Sequence, residues 1–572
     1  MIAVKRRAVR WAVEFWQSLS AGGLVFAALF FAISLTPTLI PRTYLTQGAL
    51  SGVSAAVGYG IGAFFRWLWR YLELPVPRGT SLTRIKAGVA ACCAVVLVAF
   101  LWKTTGWQNS VLKVMHQAPV TSAYPLRVCL VAVVTFLPLV ALGRGFNLVV
   151  RVVATWTRRF VPRRVASVVG AGVALVLFWS VANGLIFRVA IHRLDAAFQK
   201  ADELIPPDSV APVVATKTGS KASLIAWEKL GRRGRDFVST GPSAARIQEL
   251  TGKHALEPIR VYVGLPAAET PGERARLALA ELKRVGAFSR AALVVITPTG
   301  TGWVDPPAID TVECLLHGDI ASVAQQYSYL SSPLSLLVEP DYGADAARAL
   351  FGEVYGYWST LPKDHRPKLY LNGLSLGAKN SEGSMALYDL LGDPVQGALW
   401  SGPPFSSTLW RSLTEERNPD SPAWLPRFRN GSFARFMNQD GANVPSNTPW
   451  GPTRIVYLQY ASDPVTFFDY PYFYRPPPWL SKPRGPDVSP DLRWHPLVTG
   501  LQLGVDAAMS TETPVGYGHV FAPQHYIDAW LEVTGLSDWA PADIERLKRE
   551  FEVLTVQREG ATGGLFEHRQ PP

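Results

Sequence analysis

Ser375 lies in Asn372-Gly373-Leu374-Ser375-Leu376-Gly377-Ala378, with a glycine two positions away on either side. Gly373-x-Ser375-x-Gly377 is the spacing of a nucleophile elbow, a turn tight enough that only small flanking residues leave the hydroxyl exposed. A serine hydroxyl is a poor nucleophile until a base takes its proton, and the base in turn needs an acid to orient it. Asp463, in YLQYASDPV (457–465), and His519, in GYGHVF (516–521), follow Ser375 in the order nucleophile, acid, histidine. Asp469 is the alternative acid, and His495 and His525 are the alternative bases nearest in sequence. The oxyanion of an acyl-transfer intermediate needs two backbone N–H groups. Leu376, directly after the serine, is placed to give one, and Thr299 or Gly300 in Thr299-Gly300-Thr301-Gly302 to give the other. Asp305, Asp310 and Asp319 lie near that loop and read as surface carboxylates. No Gly-Lys-Ser/Thr follows the glycines, so they are not a phosphate loop.

The surrounding chain supplies elements that would hold these residues. PIRVYVGL (258–265), AALVVIT (291–297), 320–329, KLYL (368–371), 395–400 and RIVYLQY (454–460) read as strands, with helical spacing at 273–288, 344–361 and 523–533. The first two strands and the helix between them form one βαβ unit. Apolar strands alternating with helices predict a mostly parallel, doubly wound α/β sheet. A long stretch rich in Pro, Trp, Arg and Asn, 402–453, reads as a cap insertion, and FFDYPYFYRPPPWLSKPR (467–484) as a second insertion suited to a membrane interface. No clear strand precedes His519. On the elbow, the strand-then-Asp segment and GYGHVF, the chain resembles the α/β-hydrolase superfamily, and within it the bacterial membrane-anchored branch with a multi-span N-terminal domain. The resemblance implies a Ser375–His519–Asp463 triad, although the HGGG oxyanion motif of many lipases is absent.

The first 200 residues are of another kind. They hold 22 Lys+Arg against three acids, or +19, so the remainder, with 34 against 41, is −7 and the whole-chain net charge of +12 arises in the first part. Five apolar stretches, 18–40, 48–67, 85–102, 126–142 and 165–189, approach the roughly 20 residues needed to cross a bilayer. Basic residues cluster between alternate stretches: Lys5, Arg6, Arg7 and Arg10 before the first, then Arg42 alone, then Arg66, Arg70, Arg78, Arg84 and Lys86. The positive-inside rule then predicts a cytoplasmic N-terminus and, after five crossings, an extracytoplasmic catalytic domain. Gly52, Gly58, Gly60 and Gly62 on the second stretch would permit close helix packing. Basic residues that flank apolar runs point to the bilayer and away from nucleic acid.

The expected organisation is a helical transmembrane domain over 1–200, a linker and approach helix over 201–240, and an α/β-hydrolase domain over 241–572. Four cysteines, Cys92, Cys93, Cys129 and Cys314, offer no zinc spacing, and neither metal nor cofactor is expected. The expected activity is cleavage of an ester or thioester through an acyl-enzyme, with lipidic or envelope-bound acyl esters as substrates. Acyl transfer to an alcohol by the same residues, or a hydrolase-like binding protein without turnover, are the alternatives.

Overall fold

A computed structural model describes residues 19–75, 80–206, 209–330, 332, 334–335, 341–385, 392–445 and 447–566. The basic N-terminal residues Lys5 to Arg10, with Arg78 and Pro207, lie outside them. The described chain divides into two compact units: 1–191 with 469–480 and 486–509, and 192–468 with 481–485 and 510–572.

Among the described residues of the first unit, three helices are long and apolar enough to cross a membrane: Tyr44–Tyr71, Arg84–Val114 and Pro125–Thr157. They contain the second, third and fourth expected spans, and Pro138 is accommodated within the last. The first expected span is helical only over Ala21–Ser34, and the fifth is divided between Arg163–Trp179 and a wide π-helical turn over 180–187. The glycines draw backbones together. A β-carbon on Gly58 would stand 2.5 Å from the Phe26 carbonyl oxygen, and on Gly52 2.6 Å from that of Ala132; one on Gly60 would meet nothing. The segment 486–509, although distant in sequence, belongs here. Its helix Val498–Ala508 presents Asp506 to Arg42, with Nε to Oδ1 2.8 Å, and the Gln502 side-chain amide donates to the Thr36 carbonyl at 3.0 Å.

The second unit is built on eight strands: β1 (Ile259–Val263), β2 (Ala292–Thr297), β3 (Ile320–Gln325), β4 (Lys368–Leu374), β5 (Gly397–Ser401), β6 (Ala434–Asn438), β7 (Gly441–Ala442) and β8 (Arg454–Leu458). They lie in the order β1-β3-β2-β4-β5-β8-β6-β7, parallel throughout except for the β6–β7 pair. The sheet is thus the mostly parallel α/β sheet that the alternation predicts. Strand order is less visible in sequence: β3 lies between β1 and β2, because apolar period identifies a strand without naming its neighbour. β2, β3 and β5 are buried along their whole length, as strands sandwiched between helices must be. Part of the stretch 402–453 is sheet as well, since β6 extends it beside β8.

Candidate active site

β4 runs directly into the helix Leu376–Glu382, and Ser375 occupies the corner between them with φ 57° and ψ −124°. A side-chain-bearing residue held at positive φ costs roughly 1–3 kcal/mol and persists only where its surroundings enforce it. The enforcement is steric. A β-carbon on Gly373 would lie 2.4 Å from the Gly377 carbonyl carbon, and one on Gly377 2.2 Å from the Thr297 carbonyl oxygen. The Ser375 N–H donates to the Ser401 carbonyl at 2.9 Å, which ties the corner to the end of β5.

Asp463 stands beyond β8 and is fully buried. It caps the short helix Pro464–Phe467, accepting from Val465 N at 2.8 Å and Thr466 N at 3.4 Å, and from Thr466 Oγ1 at 3.1 Å. Its Oδ2 meets His519 Nδ1 at 2.7 Å. With Nδ1–H given to the carboxylate, the lone pair of the neutral ring lies on Nε2. That Nε2 is buried and has no hydrogen-bond partner among the described residues. A buried acceptor left unpaired costs roughly 1–3 kcal/mol. The loop carrying the histidine is pinned beside the acid, since Gly518 N–H donates to Ser462 Oγ at 2.9 Å. Helix Val498–Ala508 and a turn precede it; the Tyr517–Val520 bridge is the extended pairing there.

Gly402 joins the two halves of the site. Its neighbour Ser401 accepts from Ser375 N–H, while a β-carbon on Gly402 itself would lie 2.5 Å from His519 Cε1 and 2.9 Å from Asp463 Oδ2. Nucleophile candidate, acid and imidazole therefore converge on the end of β5, although the Ser375 hydroxyl and His519 Nε2 are not hydrogen-bonded. Catalytic hydrogen bonds in ligand-free sites often close only on the substrate complex. No sequence signal marked Gly402, whose importance arises from a contact 117 positions along the chain from its own number to that of His519 (519 − 402).

The other candidates are placed elsewhere. His525 bonds the Tyr460 hydroxyl through Nδ1 at 2.6 Å, and burial pushes its pKa down to about 4. Asp469 and His495 belong to the first unit. Among the oxyanion candidates, Leu376 N–H opens a helix, where no carbonyl of the helix can reach it. Thr299 N–H already donates to the Trp303 carbonyl at 3.0 Å, whereas Gly300 N–H donates to the Ser332 hydroxyl at 3.2 Å, a side-chain partner that can rotate away. The loop does border the elbow, because Thr297 and Pro298 carbonyls line the space over Gly377.

Two of the three carboxylates read as surface groups are buried. Asp310 pairs with Arg260 at 2.7 Å, and Asp305 accepts from the Tyr526 hydroxyl at 2.7 Å. Burial pushes the Asp305 carboxyl up to about 7, against the opposing hydrogen bond from Tyr526. Loop position alone did not reveal that the helix Pro523–Thr534 would cover it.

A family model described as "Alpha/beta-hydrolase family" matches residues 259–547, and one described as "Alpha/beta-hydrolase family N-terminus" matches residues 35–242. No curated protein and no solved structure matches the chain.

Proposed function

The chain belongs to the α/β-hydrolase family, and from that premise we propose that it is a membrane-bound serine hydrolase that cleaves acyl esters through an acyl-enzyme on Ser375. The observation that carries this reading is the buried, unpartnered His519 Nε2, held by Asp463 on its other nitrogen and set across Gly402 from a strained serine. In the reaction Nε2 takes the Ser375 proton as Oγ attacks the ester carbonyl, and Asp463 stabilises the imidazolium. Leu376 N–H and Gly300 N–H, the latter released from Ser332, receive the oxyanion. The imidazolium then protonates the departing alcohol, and water, activated by the same nitrogen, frees the acid.

Membrane attachment rests on exposed apolar side chains along the long helices, among them Val95, Val98, Trp102, Leu126, Leu130 and Val134. Exposed Trp67, Trp69 and Tyr71 at the end of Tyr44–Tyr71 suit the headgroup level. The proposed topology keeps the N-terminus inside and the hydrolase unit outside, next to lipidic or envelope-bound esters. Ser375 and His519 are each only 7 % exposed, which also favours a second reading: transfer of the acyl group to an alcohol where water is scarce.

Fluorophosphonate labelling of membranes carrying wild type, Ser375→Ala and His519→Ala tests the proposal. Labelling of the wild type that disappears in both variants is the expected result. An unlabelled, folded wild type would leave a hydrolase-like protein without turnover.

A further inference from the structure

At the carboxyl edge of the sheet, between the loops that follow β1 and β3, lies an open cavity of about 800 Å³. Its lining includes the turn 265–271, Arg274, Tyr327, Tyr329 and Tyr342. Arg274 is 4 % exposed. Its Nη1 donates to the Ala268 carbonyl at 2.8 Å and the Glu269 carbonyl at 3.0 Å, while its Nε is buried and meets no acceptor. Among the described residues no carboxylate pairs with this guanidinium. The adjacent Glu273 is engaged in a capping box with Thr270.

Other buried arginines of the unit divide into two kinds: Arg235, 2 % exposed, likewise donates to backbone carbonyls, those of Asp202 and Leu204, whereas three others close on carboxylates. Arg260 closes on Asp310 and Glu313, Arg366 on Asp393 and Arg435 on Glu532, each at 2.7 Å. A buried cation with no carboxylate partner among the described residues is unfavourable, and burial lowers the Arg274 pKa. Of the described carboxylates at the rim, Asp345 is held by Arg348 at 2.6 Å and Glu269 is exposed to solvent.

We propose that the cavity binds the phosphate group of a headgroup-sized ligand, whose oxygens take the guanidinium donors that no described residue accepts. A guanidinium fork matches phosphate geometry, and the open mouth keeps the remaining phosphate charge hydrated. A volume of about 800 Å³ is within the range of small-molecule sites and far exceeds one phosphate, so the ligand extends beyond it along the tyrosines. The cavity wall is tied to the candidate active site. Gln326 Oε1 accepts from Leu265 N at 3.0 Å while its Nε2 donates to the Thr301 carbonyl at 3.3 Å. The binding itself does not depend on the chemistry assigned to Ser375.

The test is titration of the full chain in neutral detergent micelles with glycerol 3-phosphate, and separately with micelles doped with phosphatidylglycerol or phosphatidylcholine. Saturable binding is expected, weakened at least about 10-fold by Arg274→Gln and by Ala268→Asp, which supplies the missing carboxylate from the chain. Equal melting temperatures would show that both variants fold, and Ser375→Ala should bind as the wild type does. Binding of phosphatidylglycerol alone would identify the source as a lipid headgroup, and binding of both phosphates a soluble phosphate ester. Absence of saturable binding, or undiminished binding by both cavity variants, would overturn the proposal.

Discussion

Gly402 can carry no side chain without moving His519. Its φ of +48° already disfavours one, and the β-carbon would press on Cε1 at 2.5 Å and Nδ1 at 2.8 Å. If His519 is the base proposed above, displacing it by about 1 Å costs on the order of 100-fold in rate. Gly402→Ala should therefore lower kcat by about that factor with KM little changed, as steady-state ester hydrolysis would show. Asp463→Asn should cost more, on the order of 10³–10⁴-fold in kcat, because an amide favours the wrong tautomer of His519. Asp305 makes a prediction about pH. Its folded pKa of about 7 lies above the ordinary 3.8, so burial favours the neutral acid. The stabilisation is complete below about pH 4 and is lost as the pH rises through 7. Melting curves at pH 5 and pH 8 should show wild type losing stability relative to Asp305→Asn at the higher pH.

Among the elements, the helix Leu376–Glu382 does more than follow the Ser375 corner. Glu382 at its end accepts from Leu409 N at 2.5 Å, Trp410 N at 3.2 Å and the Tyr457 hydroxyl at 2.9 Å, fixing the helix Thr408–Glu415 over β8. Glu382→Ala leaves two buried donors and a half-buried one unpaired, at about 1–3 kcal/mol for each buried donor before relaxation. Limited proteolysis should then cut within 402–433 well before the wild type is cut. The strands were legible in the sequence because each is a short apolar run bounded by turns, and the elbow because glycine spacing has a steric cause. The β6–β7 pair was not legible, since ARFMN lies in a stretch whose prolines and tryptophans mask its pattern. Nor was the burial of Asp305 or the approach of Gly402 to His519, because both depend on partners distant in sequence.

At the scale of the whole molecule, the chain passes between the two units after residues 191, 468, 480, 485 and 509. A single cut near residue 200 would leave 469–480 and 486–509, which belong to the first unit, with the remainder of the chain. Arg42 and Asp506 would be parted by it: their side chains are 2 % and 0 % exposed and paired at 2.7 Å. Removing one partner of a buried pair typically costs about 3–5 kcal/mol. A fragment of residues 201–572 should consequently aggregate, and deletion of 486–509 from it should reduce that aggregation, as size-exclusion profiles of the two would show.

The same pair sets a clock on synthesis. Arg42 and Asp506 are 464 residues apart, and at about 5–20 residues per second the ribosome needs roughly 20–90 s to reach the second after the first. Through that interval the early helices are already made while Arg42 still lacks its carboxylate. The burial of Arg42 thus waits for a carboxylate made 464 residues later, and a nascent protein truncated before residue 506 would hold that arginine with its local partners Thr38 and Gln47 alone.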